Sequence, residues 1–260
     1  MAEHLGTWVY CVTRQLRDER LALLTGVDRE PVRSVKGPDL AAVVGSVDLQ
    51  EFGEEPLRRN LENLSWLDNC ARSHHRVIQA VARSGPVVPM RLAVVFHDDA
   101  RVGTMLEERT DDLASALSRI DGRAEWGVKA FSDASASEEG SDTASDELDR
   151  GPGTAYLRRR RAQVSAHERA RNAAAMGAEA VHKALSAISD AASRHPPQDE
   201  RLRGDPSWMI LNGAYLVEDN RVDQFVETAR ALDDEHPGLR LELTGPWPPY
   251  SFATVEERGF

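Results

Sequence analysis

A chain of 260 residues, 41% hydrophobic and 29% charged, has the length for one large domain or two smaller ones and the composition of a soluble globular protein. Its formal net charge of −11 argues against a general nucleic-acid binder, although the charge is unevenly spread. Cys11 and Cys70, the only cysteines, provide neither a disulfide framework nor enough thiolates for a structural zinc site. The first residues have no basic and apolar leader pattern, and no run approaches the roughly 18 apolar residues of a membrane span. A cytoplasmic protein without a membrane partner is expected.

In chain order, Trp8-Val9-Tyr10-Cys11-Val12 is rich in strand formers. Residues 32–36 and 40–47 read as two further strands, separated by the turn Gly37-Pro38-Asp39. Three strands in succession predict a meander opening an α+β domain. A long helix then runs from Pro56, as its first residue, to Ser84-Gly85-Pro86. Leu57, Leu61, Leu64, Leu67, Ala71, His74, Ile78 and Val81 recur along it at spacings of three and four, as one buried stripe. Residues 87–90 and 92–96 form a strand interrupted at Pro89. A helix over 102–120 and a closing strand over 124–131 complete a first domain, residues 1–131.

Residues 132–150 are Ser, Ala, Asp, Glu and Gly almost throughout, with Leu148 the only large apolar residue. Such a segment cannot bury enough surface to offset its ordering entropy, so it is expected to be a disordered acidic linker. The second domain, 151–260, opens with a helix over 155–193. It carries the block Arg158-Arg159-Arg160-Arg161, then a narrow stripe of Ala174, Ala178, Val181, Leu185 and Ile188. Gly177 within it costs about 1 kcal/mol of helix propensity and marks a bend or a close contact. A strand over 208–217, a helix with the stripe Val222, Phe225, Val226, Ala229 and Leu232, and a strand over 239–243 follow. This order suggests a βαβ unit or a ferredoxin-like half. The chain then runs into Thr244-Gly245-Pro246-Trp247-Pro248-Pro249-Tyr250-Ser251-Phe252. Its prolines force it out of the sheet as a stiff arm. Trp247, Tyr250 and Phe252 on that arm either fold back to cap their own domain or offer anchors to a partner.

Little of the chain reads as catalytic. There is no Gly-x-Gly-x-x-Gly, no phosphate-binding loop, no Gly-x-Ser-x-Gly elbow, and no nucleophile with a base at a diagnostic spacing. No catalytic residue and no cofactor are expected. Adjacent residues on a helix diverge by about 100°, so His74-His75 does not make a metal pair, and His74 on the apolar stripe reads as a hydrogen-bonded core histidine. Asp98 reads as a helix cap. A metal-dependent hydrolase around His74, His97 and Asp98 stays open as a minor alternative. Arg158, Arg159, Arg160 and Arg161 are a solvated helix end, partners in intramolecular salt bridges to the acidic linker, or a contact for an acidic protein face. An anion- or RNA-binding regulatory module is the alternative use of the block.

Several stretches, taken as an ordered set, resemble the GvpF/GvpL family of gas vesicle proteins. They are Trp66-Leu67 with Ala71 and His74, Pro86-Val87-Val88-Pro89-Met90-Arg91, Glu125-Trp126-Gly127-Val128-Lys129, Gly153-Thr154-Ala155-Tyr156-Leu157, Ala214-Tyr215-Leu216-Val217 and the Thr244–Phe252 stretch above. The chain departs from the family in having Leu92-Ala93-Val94 where Phe-Gly-Thr is usual, and His74-His75 where His-Glu is usual. The resemblance implies a two-domain α+β fold, each domain a small mixed or antiparallel sheet packed with helices, the C-terminal one ferredoxin-like with a long leading helix. It implies no catalytic activity, but an accessory role in gas vesicle formation in which the chain binds the hydrophobic shell protein and other accessory proteins during shell nucleation and assembly. In that role Trp247, Tyr250, Phe252 and Arg158 to Arg161 are the expected partner-binding residues. No nucleic-acid partner is implied. Removing residues 244–260 would abolish shell-protein binding and leave the first domain folded.

Overall fold

A strand covered on both faces must be apolar along its whole length rather than at alternate positions. Strand β1 (Leu5–Arg14) is such a strand, buried from Gly6 to Thr13. The computed structural model describes residues 4–14, 21–132, 152–197 and 208–253, with side chains from 160 onward in the helix that begins at Pro152, except 162, 163, 166 and 167. In the first sheet β1 pairs antiparallel with β3 (Leu40–Asp48) on one side. On its other side it pairs with β4 (Val87–Pro89) and, further along, β5 (Val95–Phe96). Strand β2 (Val32–Lys36) lies outside β3. The three opening strands are therefore not a meander. β1 neighbours β3, and the β2–β3 hairpin is added as a unit.

Val9 and Val12 of β1 face one core, while Trp8, Tyr10 and Cys11 face another. Strict alternation would put Cys11 beside Val9. A register shift against β3 between Val9 and Cys11 moves it to the other face. The chain leaves β3 through two short helices, α1 (Leu49–Phe52) and α2 (Glu54–Leu61), and enters α3 (Leu64–Ala82). Cys70, Val77, Ile78 and Val81 of α3 cover the Trp8 face. Helices α4 (Asp99–Glu108) and α5 (Thr110–Ile120) cover the Val9 face with Val102, Leu106, Leu113 and Leu117.

Two expected long helices are each two helices. The first begins at Glu54, not Pro56, and stops at Leu61. Asn63 then caps the second, its side chain accepting from the N–H groups of Ser65 at 3.1 Å and Trp66 at 3.2 Å. Leu64, at its first position, is 80% exposed, so the continuous stripe breaks there. The second expected helix breaks at Arg109, and Thr110 Oγ1 donates to the Leu106 carbonyl at 2.7 Å. In both places a side chain able to satisfy backbone groups competes with the helix.

The second sheet has the order β7-β8-β6-β9. Its elements follow the chain as β6 (Arg123–Ser132), α6 (Pro152–Ala187), β7 (Ala191–Arg194), β8 (Met209–Glu218), α7 (Val222–Glu235) and β9 (Leu239–Trp247). This βαββαβ connectivity with the first and third strands inside is the ferredoxin-like arrangement. Trp126, Val128 and Ala130 of β6 enter one core with Leu239 of β9, Ala174, Ala178, Val181 and Leu185 of α6, and Phe225 of α7. A Cβ at Gly177 would lie 3.0 Å from Leu239 Cδ1, so this glycine marks close packing. The expected helix to residue 193 ends at Ala187, and Ala191–Arg194 joins β8 as a strand. Alanine's helix preference yields there to sheet pairing. The open edge of β9 is guarded, since the Leu241 N–H donates to the Asp233 carboxylate at 2.7 Å.

The chain divides into one compact unit of Met1–Glu125 with Pro246–Phe260 and another of Trp126–Gly245. This differs from domains drawn at 1–131 and 151–260. The strand expected to close the first domain is an inner strand of the second sheet, and the C-terminal tail belongs to the first unit. Apart from Ser132, the acidic stretch 132–150 lies outside the described residues.

Between β4 and β5, Ala93 holds a φ of 71°. This left-handed region costs a residue with a Cβ roughly 1–2 kcal/mol. Ala93 occupies the position where the resembling family has glycine. Replacing it should relieve the strain at a partial cost in unfolded-state entropy. Ala93→Gly is expected to raise stability by about 0.5–1 kcal/mol in urea denaturation, and Ala93→Val to lower it.

Candidate partner-binding surface

The tail does not leave the protein as an arm. Strand β9 continues through Pro246 to Trp247, and Gly245 takes a φ of 132° that favours glycine. A tight turn follows, in which the Tyr250 N–H donates to the Pro248 carbonyl at 2.8 Å and the Ala253 N–H to the Pro249 carbonyl at 2.9 Å. The turn delivers the side chains onto the first unit. The Tyr250 hydroxyl and His75 Nδ1 share a hydrogen bond at 3.1 Å, and the two rings stack with centroids 5.9 Å apart. Trp247 lies against the same imidazole at 5.6 Å. Both oxygens of Glu125 accept from Ser251, one from its N–H and one from its hydroxyl, each at 2.7 Å. The Arg119 guanidinium donates to the Phe252 carbonyl at 3.4 Å, and Ala253 is buried in the core of β1, α4 and α5.

The expected anchors therefore differ in availability. Tyr250 and Phe252 are half-buried, while Trp247 keeps 38% of its surface exposed. Tyr250 packs against the core that holds Trp8 and Tyr10, and burial pushes its phenol well above the ordinary range. The described part of the 244–260 stretch, residues 244–253, is consequently not a detachable appendage. Its removal would open the first unit's core, against the expectation that this unit would stay intact. Two groups that hold the tail, His75 and Glu125, carry no sequence signature of that role. The closest signal was that both occur in or beside stretches that resemble the family.

Beneath the tail, His74 is buried at the centre of a polar chain. Trp8 Nε1–H donates to His74 Nδ1 at 2.9 Å, and His74 Nε2 is 3.1 Å from the Met90 carbonyl. A tryptophan N–H can only donate and a carbonyl can only accept, so Nε2 carries the proton and the ring is neutral. Both nitrogens are used inside the fold, as expected of a core histidine. Asp98 accepts from the Arg101 N–H at 2.8 Å and caps α4. Among the described residues, no group of three or more His, Cys, Asp or Glu side chains is placed to hold a metal ion.

The arginine block lies in the first half of α6. Arg160 and Arg161 are exposed, and the side chains of Arg158 and Arg159 lie outside the described residues. No helix among the described residues is long and apolar enough to cross a membrane.

A family model described as gas vesicle synthesis protein GvpL/GvpF matches residues 6–254. The chain belongs to the GvpL/GvpF family. It is 40% identical over 250 residues to gas vesicle protein L of Streptomyces sp. (strain CB03234), covering 96% of this chain and 93% of that one. Gas vesicle protein F of the same strain is 28% identical over 261 residues, covering 95% and 99%. The crystal structure of gas vesicle protein GvpF from Anabaena sp. PCC7120 superposes with a TM-score of 0.68 at 20% identity, covering 98% of this chain and 99% of that chain. At that identity the likeness speaks for the fold: two antiparallel sheets packed with helices. Membership supports an accessory role in gas vesicle formation, and the GvpL/GvpF chains are named for vesicle synthesis rather than for a reaction.

Burial lowers the pKa of His74 from 6.5 to about 4, with the neighbouring His75 adding to the effect and the bond to Met90 opposing it. The unfolded chain takes up a proton near pH 6.5 while the folded chain does not. The contribution to stability is thus complete above pH 6.5 and is lost as the pH falls toward 4. It amounts to roughly 3 kcal/mol. Urea midpoints should fall across this window, and the His74 imidazole should show no NMR titration above pH 5. A normal titration near 6.5 would contradict the buried neutral ring.

Proposed function

We propose that this chain is a cytoplasmic accessory protein of gas vesicle formation that binds the hydrophobic shell protein, together with other accessory proteins, and assists shell nucleation and assembly. The observation that carries the reading is the match along almost the whole chain to relatives named gas vesicle proteins L and F. A shell subunit with an apolar face needs a partner before assembly, because large exposed apolar surfaces aggregate. The exposed indole of Trp247 offers an anchor already ordered against His75, which limits the entropy lost on binding. Tyr250 supports that anchor from the other side of His75, Phe252 adds half-buried apolar surface beside it in sequence, and the arginine-bearing helix supplies a separate charged contact. The chemistry is binding, not catalysis.

The test is co-purification with a tagged shell protein from cells, followed by a salt wash, for the natural chain and Trp247→Ala. Truncation is unsuitable because the tail belongs to the first unit's core. Retention at high salt is expected, with Trp247→Ala weakening it by about 2 kcal/mol, or roughly thirtyfold. Loss at moderate salt would move the contact to the arginine block. Absence of association under every condition would overturn the reading.

A further inference from the structure

Helix α6 is 36 residues long, about 54 Å at 1.5 Å per residue. Among the described residues its buried hydrophobic side chains are Ala174, Ala178, Val181 and Leu185, all in its second half. The side away from that stripe has a regular pattern of its own. Arg161, Ser165, Arg169, Asn172, Met176 and Lys183 are all exposed, and they follow one another at spacings of three, four and seven. At 100° per residue they lie within one face, opposite the buried one. The same spacing runs back to Arg158 in the sequence. The face carries Arg161, Arg169 and Lys183; Glu168 and Glu179 lie at one border, Glu179 held by Arg194 at 2.6 Å. Met176, within the stripe, is 75% exposed.

We infer that this outer face of α6 is a docking surface for an acidic helix of a partner protein, lying along the stripe with carboxylates at matching spacing. This rests on the reading that the chain acts through protein partners, and it names the chemistry of one of them. Charge complementarity selects an acidic occupant. Three features favour a protein over a nucleic acid. An exposed methionine stands among the cations, and Met and Arg are enriched in protein interfaces. The flanking exposed residues Ala173 and Ala180 let a second helix approach closely. The net charge of −11 repels a long polyanion from the chain as a whole. A second copy of α6 is unsuitable, because its own stripe carries the same sign.

The test uses the full chain and a synthetic helical peptide with Glu at i, i+3, i+4 and i+7 positions and one Leu placed to meet Met176. Controls are a peptide of the same composition with scrambled spacing, and poly-uridine RNA. Fluorescence anisotropy should show binding that weakens about tenfold or more in Arg161→Glu/Arg169→Glu and returns when the peptide carries Lys instead of Glu. Circular dichroism checks that the exposed substitutions leave the fold unchanged. Equal binding of the scrambled peptide or tighter binding of the RNA would overturn the inference. So would peptide binding seen only after residues 133–150 are deleted, since the chain's own acidic stretch would then be the occupant. Shell-protein co-purification of the same charge-reversed variant is expected to be retained through Trp247, so a failure of the accessory-protein reading is distinguishable from a failure of this site.

Discussion

The hydrogen-bonded chain from Trp8 through His74 to the Met90 carbonyl is the constraint around which the first unit is arranged. It links β1, α3 and the connection between β4 and β5, three pieces distant in sequence. Trp8 also meets Phe52 edge-on at 5.7 Å, and Tyr10 lies against the His74 ring at 5.5 Å. In a low-dielectric interior such bonds are strong when complete, and an unpaired member is costly. The Met90 carbonyl must therefore point inward at a fixed place. The same residue's N–H donates to the Tyr10 carbonyl at 2.9 Å, so its backbone is held from two sides. The chain has to turn sharply to resume pairing at Val94, whose carbonyl accepts from the Val9 N–H at 3.0 Å. The left-handed Ala93 is where that turn is made. The strain at one residue is sustained by a network that over-determines its neighbours.

Much of this was legible in the sequence because burial leaves a period. The strands over Val32–Lys36 and Met209–Glu218 follow from runs of strand-forming residues, and the helix over Val222–Glu235 from three-and-four spacing. His74 was readable as a core residue by its place on a stripe. The breaks at Asn63 and Arg109 were less visible, since periodicity continues in register across a short interruption. Asn63 before Leu64-Ser65 was a usable capping signal that the apolar stripe overrode. Ala191–Arg194 could not be separated from the preceding helix by composition, because what makes it a strand is Tyr215 and its neighbours on β8. Sheet membership was the least legible feature. Glu125 to Phe131 alternates as any half-buried strand does, and alternation does not say which sheet the strand joins.

Helix α6 shows a different limit. Its hydrophobic stripe is narrow, and among the described residues its buried side chains begin at Ala174. In the first half alanine and arginine are both good helix formers. A core-seeking reading finds nothing in that half. A reading by charge finds a cationic face at helical spacing, set against the acidic character of the chain. Two faces of one element thus answer to different constraints, the stripe from Ala174 onward to the fold and the exposed cationic face to solvent or a partner.

The C-terminal tail reverses the usual inference from prolines and aromatics. A Pro-rich aromatic run suggests an exposed ligand, because such segments are stiff and cannot join a ladder. Here the stiffness shapes a turn. Pro248 and Pro249 supply the carbonyls that close it, and Gly245 supplies the backbone angle that starts it. The turn then sets Tyr250 on His75, Ser251 on Glu125 and Ala253 in a core. An aromatic that completes the interior cannot also serve as a free anchor without opening the first unit. Of the three aromatics the indole keeps the largest share of its surface outside, and it is held by His75, which stands where the family usually has glutamate. A glutamate there could not stack on both rings, so in this chain Trp247 is ordered by aromatic contact with His75.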